Sequence, residues 1–222
     1  MAFLPLVQVC AQSTDTTDID HLPAFLVYES EDLEAFSHLK IDLVSSYIEV
    51  QKGSDYKIEI YASQEDVAMD DLFSLTIDKE TVHIDEKDWK NNLVSFLTTL
   101  TSRIIVTVPE TERLGLVIDL VNGEVQVDGT LTEFEFDGPN AKIFLKGKET
   151  YPMAIDIVNG EIELTFDTYN ADLDFEFVNG RYEILGDTMS ATFSDYQKIL
   201  GDGRDEINIE AVNGKVLLIE AE

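Results

Sequence analysis

The chain has 222 residues, and 45 Asp and Glu against 15 Lys and Arg give it a formal net charge of -30. A surface of this sign makes nucleic acid and anionic lipid headgroups poor candidate partners, because binding them depends on Lys and Arg neutralising phosphates. The hydrophobic content of 44% is enough for the core of one domain, and the single cysteine, Cys10, excludes an internal disulfide.

Residues 1–21 are predicted to form a disordered tail, and residues 22–222 a single domain. The run from Ser13 to Asp18 is polar, and the apolar stretch before Cys10 carries no Lys or Arg and is short for an export signal. No apolar run is long enough to span a bilayer, so no transmembrane segment is expected. A cytoplasmic location is the default prediction from these features.

Between residues 36 and 110 the alternation of apolar and polar residues is less regular, and it predicts several strands. Leu39–Val50 and Tyr56–Tyr61 alternate apolar and polar residues, and Phe73–Ile84 resembles a further strand pair. Between residues 88 and 100 the period changes to that of one short amphipathic helix, with Asp88 as its N-cap. Its apolar stripe consists of Trp89, Leu93, Phe96, Leu97 and Leu100.

Residues 114–222 contain an internal repeat built on the triplet Val-Asn-Gly. The triplets end at Gly123, Gly160, Gly180 and Gly214, and alternating apolar and polar residues flank each one. A degenerate copy contains Asn140, and a weaker one is expected near Ser194–Asp195. The resulting unit has about 17–20 residues. The predicted repeat corners are Asn122, Gly123, Asn140, Asn159, Gly160, Asn179, Gly180, Asn213 and Gly214.

Two all-β architectures fit this unit. In a β-solenoid, a single-stranded β-helix, Asn-Gly forms a corner and each unit stacks on the next. In an antiparallel meander or sandwich, Asn-Gly is a two-residue hairpin turn, and Leu120 would pair with Val125. The nearly fixed period of the corners favours the solenoid. Either bend explains the residue types, since Asn and Gly tolerate positive φ.

One family shares this order of motifs. Leu39–Leu43 leads to Ile48–Val50, then Ile104–Pro109, the repeated Asn-Gly corners, and finally Gly201-Asp202-Gly203 before the strand that reaches Val216. Over residues 36–222 the chain resembles the "putative adhesin" family of bacterial domains of unknown function. The resemblance implies a β-helical fold and a non-enzymatic, often envelope-associated module.

No pattern for catalysis, a cofactor or a metal stands out. His21, His38 and His83 lack ligand-spaced partners, which disfavours zinc. One alternative is a calcium site at the oxygen-rich group of Asp167, Asn170, Asp172 and Asp174. Another alternative is a carbohydrate-active β-helix enzyme, in which Arg181 at a repeat corner would act with acidic residues.

The favoured function is therefore a non-enzymatic binding or scaffolding module, with no catalytic residues, cofactor or metal. It would display an acidic, repetitive β-surface to a protein, peptide or cell-envelope ligand. The acidic surface makes a basic partner, such as a cationic peptide, one specific alternative.

Overall fold

The computed structural model describes residues 23–30, 33–65, 67–87 and 102–221. The predicted N-terminal tail and the predicted helix at residues 88–100 lie outside the described residues. Within them the protein is all-β, with twelve strands in one mixed sheet and one helical turn.

The strands fall into a short-stranded first part and a long-stranded second part. In chain order the elements are β1 (Phe25–Glu29), β2 (His38–Gly53), β3 (Lys57–Ala62), α1 (Met69–Leu72), β4 (Phe73–Asp78), β5 (Thr81–Glu86), β6 (Ser102–Pro109), β7 (Leu114–Asp128), β8 (Leu131–Glu149), β9 (Met153–Thr168), β10 (Ala171–Ile184), β11 (Asp187–Ile199) and β12 (Asp205–Glu220). The strands predicted before residue 110 agree with β2, β3 and the β4–β5 hairpin.

The long strands pair in parallel and in register. The sheet order is β1-β3-β6-β2-β7-β8-β9-β12-β10-β11, and the pairs from β2 to β10 are parallel. The last long strand, β12, therefore lies between β9 and β10 instead of following β11. At the edges, β11 pairs with β10 and β1 pairs with β3, both antiparallel.

Each long strand contributes two apolar segments to one core. In β7, Leu120 and Val125 are both buried although an odd number of positions separates them, so the alternation shifts at Asn122–Gly123. Leu120 pairs with Leu43 and Val125 with Ile48 in the parallel strand β2. The Asn-Gly pairs thus lie inside long parallel strands, and the Leu120–Val125 hairpin pairing is not formed.

Two parts of the repeat prediction differ from the structure. The weak unit expected near Ser194–Asp195 lies in β11, which runs antiparallel to β10 because the chain reverses at Leu185–Gly186. Conversely, Ser45 and Ser46 of β2 pair with Asn122 and Gly123. They occupy a repeat corner that sequence reasoning missed, because serines replace Asn-Gly there.

Candidate binding site

The predicted corner asparagines form one continuous row across five strands. Asn140 donates a hydrogen bond from Nδ2 to Oδ1 of Asn122 at 3.0 Å, and Asn159 donates to Asn140 at 3.0 Å. Asn213 donates to Asn159 at 2.9 Å, and Asn179 donates to Asn213 at 3.4 Å. The structure therefore brings together all five predicted asparagines, in an order that differs from their order in the chain.

At Gly160, glycine is required for a reason other than the predicted positive φ. No described asparagine has positive φ, and among the four corner glycines only Gly123 does. A Cβ at Gly160 would instead overlap the carbonyl oxygen of Ala141 on the neighbouring strand. Glycine is thus needed there because the stacked backbones approach closely, and not because of left-handed φ.

A row of carboxylates runs beside the asparagines, one on each of eight neighbouring strands. The register pairs link them in the order Asp85, Asp42, Asp119, Asp137, Asp156, Glu210, Glu176 and Asp195. Sequence reasoning missed this acidic row. The available signal was an Asp or Glu three positions before each corner asparagine, as in Asp119 before Asn122.

The acidic row is electrostatically uncompensated. Among the described side chains, no ion pair includes a member of the row. The pKa of Asp119 is raised, first by partial burial and then by the neighbouring carboxylates Asp42 and Asp137. A cationic partner would relieve this repulsion.

A row of exposed and half-buried apolar residues lies between the acidic row and the asparagines. It contains Val121, Pro139, Val158, Val212, Val178 and, on the edge strand, Phe193. The side chain of Phe193 is 80% exposed, and its φ of 47° is unusual for a bulky residue. The two rows line a groove of about 560 Å³ that crosses β8, β9, β12, β10 and β11, and we call it the corner groove.

The outer surface formed by the residues that follow the asparagine-glycine positions, which we describe as beyond the bend, has a different charge pattern. Its first row reads Arg103, Tyr47, Glu124, Lys142, Glu161, Lys215 and Arg181 across the sheet. Arg103 pairs with Glu49 at 2.8 Å, and Lys215 pairs with Glu161 at 2.5 Å. Two cations of this row are therefore paired with carboxylates, whereas the acidic row has no such pair among the described side chains.

Arg181, the arginine singled out for a carbohydrate-active site, lies apart from the acidic row. Arg181 is in register with Lys215 and Ser190, beyond the bend from the acidic row.

The residues considered for metal binding also lie apart from a ligand cluster. Asp172 and Asp174 are on β10 in register with Glu206 and Asn208, whereas Asp167 is near the end of β9. His38 contacts Ser37, and His83 lies in β5. Within the described ranges, no three His, Cys, Asp or Glu side chains converge as metal ligands.

The described part of the chain contains no helix with the length and apolar character needed to cross a membrane.

Comparison with known proteins supports the fold. No protein-family model matches the chain, and no curated protein matches it. A crystal structure described as a "putative cell adhesion protein" from Clostridium sporogenes aligns with a TM-score of 0.63 at 17% identity, covering 86% of this chain and 98% of that one. The chain therefore shares the overall fold of that protein.

Two further solved structures show weaker similarity. A "putative adhesin" from Bacteroides fragilis has a TM-score of 0.30 and 11% identity, covering 89% of this chain and 99% of that one. Another from Parabacteroides distasonis has a TM-score of 0.30 and 12% identity, covering 86% and 96%. Neither carries an argument about function.

Proposed function

We propose that the protein is a non-enzymatic, adhesin-like binding module that holds a basic segment of a partner protein in the corner groove. The observation that carries this proposal is the acidic row beside the apolar row. Cationic side chains of a partner would pair with the carboxylates, while its apolar side chains would contact the valines and Phe193.

The charge distribution supports this groove as the binding surface. The acidic row has no ion-pair partner among the described side chains, whereas Arg103 and Lys215 neutralise acids beyond the bend. A cationic ligand therefore gains the most electrostatic stabilisation by binding along the acidic row. The solved structure that shares the fold is described as a "putative cell adhesion protein", and a binding role for this chain agrees with that description.

The finer architecture is part of the same proposal. The parallel strands from β2 to β10 are coils of a β-solenoid, and the aligned asparagines mark one of its corners. Support comes from the in-register pairs and from the single core to which both halves of each long strand contribute. Stacking repeats the same side-chain position on every coil, and this repetition creates the two rows of the groove.

The test uses an oligolysine peptide as the probe and two double variants of equal charge change. Asp156→Asn with Glu210→Gln removes two neighbouring carboxylates from the row on β9 and β12. Glu163→Gln with Glu206→Gln removes two carboxylates from the same strands outside the row. We expect the first variant to bind about tenfold more weakly than the second, with affinity falling as salt rises.

Equal binding by the two double variants would overturn the groove as the site, since it would show that only net charge matters. The Phe193→Gly variant tests the apolar contribution, with a peptide of alternating lysine and leucine as the probe. We expect weaker peptide binding without loss of stability, because glycine tolerates the positive φ at this exposed position.

A further inference from the structure

The corner groove has a fixed repeat, because its walls are built from one side chain per strand. It crosses five neighbouring strands in the order β8, β9, β12, β10 and β11. Adjacent strands in a sheet are about 4.8 Å apart. The carboxylates along its wall, Asp137, Asp156, Glu210, Glu176 and Asp195, therefore recur at this interval, and every second one at about 9.6 Å.

The groove runs across the strands, so its occupant cannot extend the sheet. The backbone groups of β8, β9, β12 and β10 already pair with a strand on each side. A bound segment must satisfy its own backbone or leave it in water. A polyproline II segment has no internal hydrogen bonds and a fully solvated backbone, so it loses nothing by lying across paired strands.

The repeat of a polyproline II helix also matches the groove. Three residues per turn at about 3.1 Å each place residues i and i+3 on one face about 9.3 Å apart. This distance is close to that between every second carboxylate. Three cations at i, i+3 and i+6 would therefore meet Asp137, Glu210 and Asp195 in turn.

Other regular conformations fit less well. Alternate residues of a β-strand are about 6.7 Å apart, which matches neither the roughly 4.8 Å nor the roughly 9.6 Å interval between carboxylates. An α-helix is about 10–12 Å wide with its side chains. The acidic row and the apolar row are two positions apart along each strand, or about 6.7 Å. This spacing is narrower than the helix.

We infer that the corner groove binds a polyproline II segment with Lys or Arg at every third position, its other two faces being proline or aliphatic. This inference rests on the proposed function and specifies the ligand of the same groove. The basic face would lie along the carboxylates. An apolar face would lie on Val158 and Val212 and reach Phe193 on the edge strand, where the exposed ring lines the groove.

The experiment compares three synthetic peptides of equal length and charge by titration calorimetry against the full chain. One contains about four Pro-Pro-Lys repeats, the second groups the same lysines at one end, and the third replaces each proline by glycine. We expect the periodic proline peptide to bind about tenfold more tightly than either of the others. Grouped lysines lose the match in spacing, and the glycine peptide loses the preformed conformation.

The double variants separate this inference from the proposed function. If all three peptides bind equally and all bind Asp156→Asn/Glu210→Gln more weakly than Glu163→Gln/Glu206→Gln, the polyproline II inference is overturned while the groove remains the site. If the periodic peptide does not bind the unmodified protein, or binds both double variants equally, the polyproline II inference is overturned. If oligolysine also binds both double variants equally, the proposed function is overturned as well.

Discussion

Asn213 donates a hydrogen bond from its Nδ2 to Oδ1 of Asn159 at 2.9 Å, although 54 residues separate them in the chain. Asn179, which lies between them in sequence, hydrogen-bonds to the other side of Asn213. The bond exists because β12 inserts between β9 and β10, and it makes the asparagine row continuous across strands that are not consecutive.

Replacing an asparagine inside this row should destabilise the fold more than replacing one at its end. Asn159→Ala removes one donated and one accepted hydrogen bond, and we expect the free energy of unfolding in urea to fall by about 1–2 kcal/mol. Asn122 only accepts within the row, so Asn122→Ala should lower it by about half as much. Equal losses would contradict a continuous row, and the exposed Asn208→Ala serves as the off-row control.

Alanine should be tolerated at one corner glycine and not at another. In Gly160→Ala the new methyl group overlaps the Ala141 carbonyl oxygen and the Ile157 side chain, so we expect a loss of about 1–3 kcal/mol. In Gly214→Ala the nearest atom is the Ala211 Cβ at 3.1 Å, and the stiffer unfolded chain offsets this contact. Similar thermal unfolding of the two variants would show that close strand approach does not determine glycine use.

The buried serine pair in the missed corner can be tested by a double-mutant cycle. Ser46 and Ser102 are each 2% exposed, and their hydroxyl oxygens are 2.5 Å apart. Either single alanine variant leaves one buried hydroxyl without its partner, and should cost about 1–3 kcal/mol. The Ser46→Ala/Ser102→Ala double variant should cost less than the sum of the singles. Simple additivity in denaturant unfolding would contradict this coupling.

The acidic row should make stability depend on pH in a defined direction. Because the pKa of Asp119 is raised in the folded state, the native protein binds more protons than the unfolded chain, and the contribution of this group to stability falls as pH rises through its folded pKa. We expect Asp119→Asn to raise the free energy of unfolding at pH 7 by about 0.3–0.5 kcal/mol, a small effect because solvent screens the carboxylate.

This advantage should disappear in acid, where Asp119 is protonated in both states. Denaturant unfolding of the variant and the unmodified protein across pH 3–7 measures the difference. Asp167→Asn, an equal charge change outside the row, is the control. An advantage of the same size in that control would attribute the effect to net charge alone.

Local sequence patterns predicted β2, β3, the β4–β5 hairpin, the apolar core positions of the repeats and the five asparagines of the row. Alternation of apolar and polar residues is a local property, so Leu120, Val125 and their counterparts in the other repeats could be assigned to the core without knowing their neighbours. The corner asparagines were visible for the same reason, because each sits at a fixed place in a local pattern.

The neighbours of each strand are seen in the folded structure and could not be predicted from local sequence patterns. Neither the insertion of β12 nor the antiparallel return of β11 has a local signature, because strand order depends on how the whole chain packs. The acidic row followed from this order: Asp156 and Glu210 are ordinary outward-facing residues in sequence, and become one charged wall only when parallel register places them side by side.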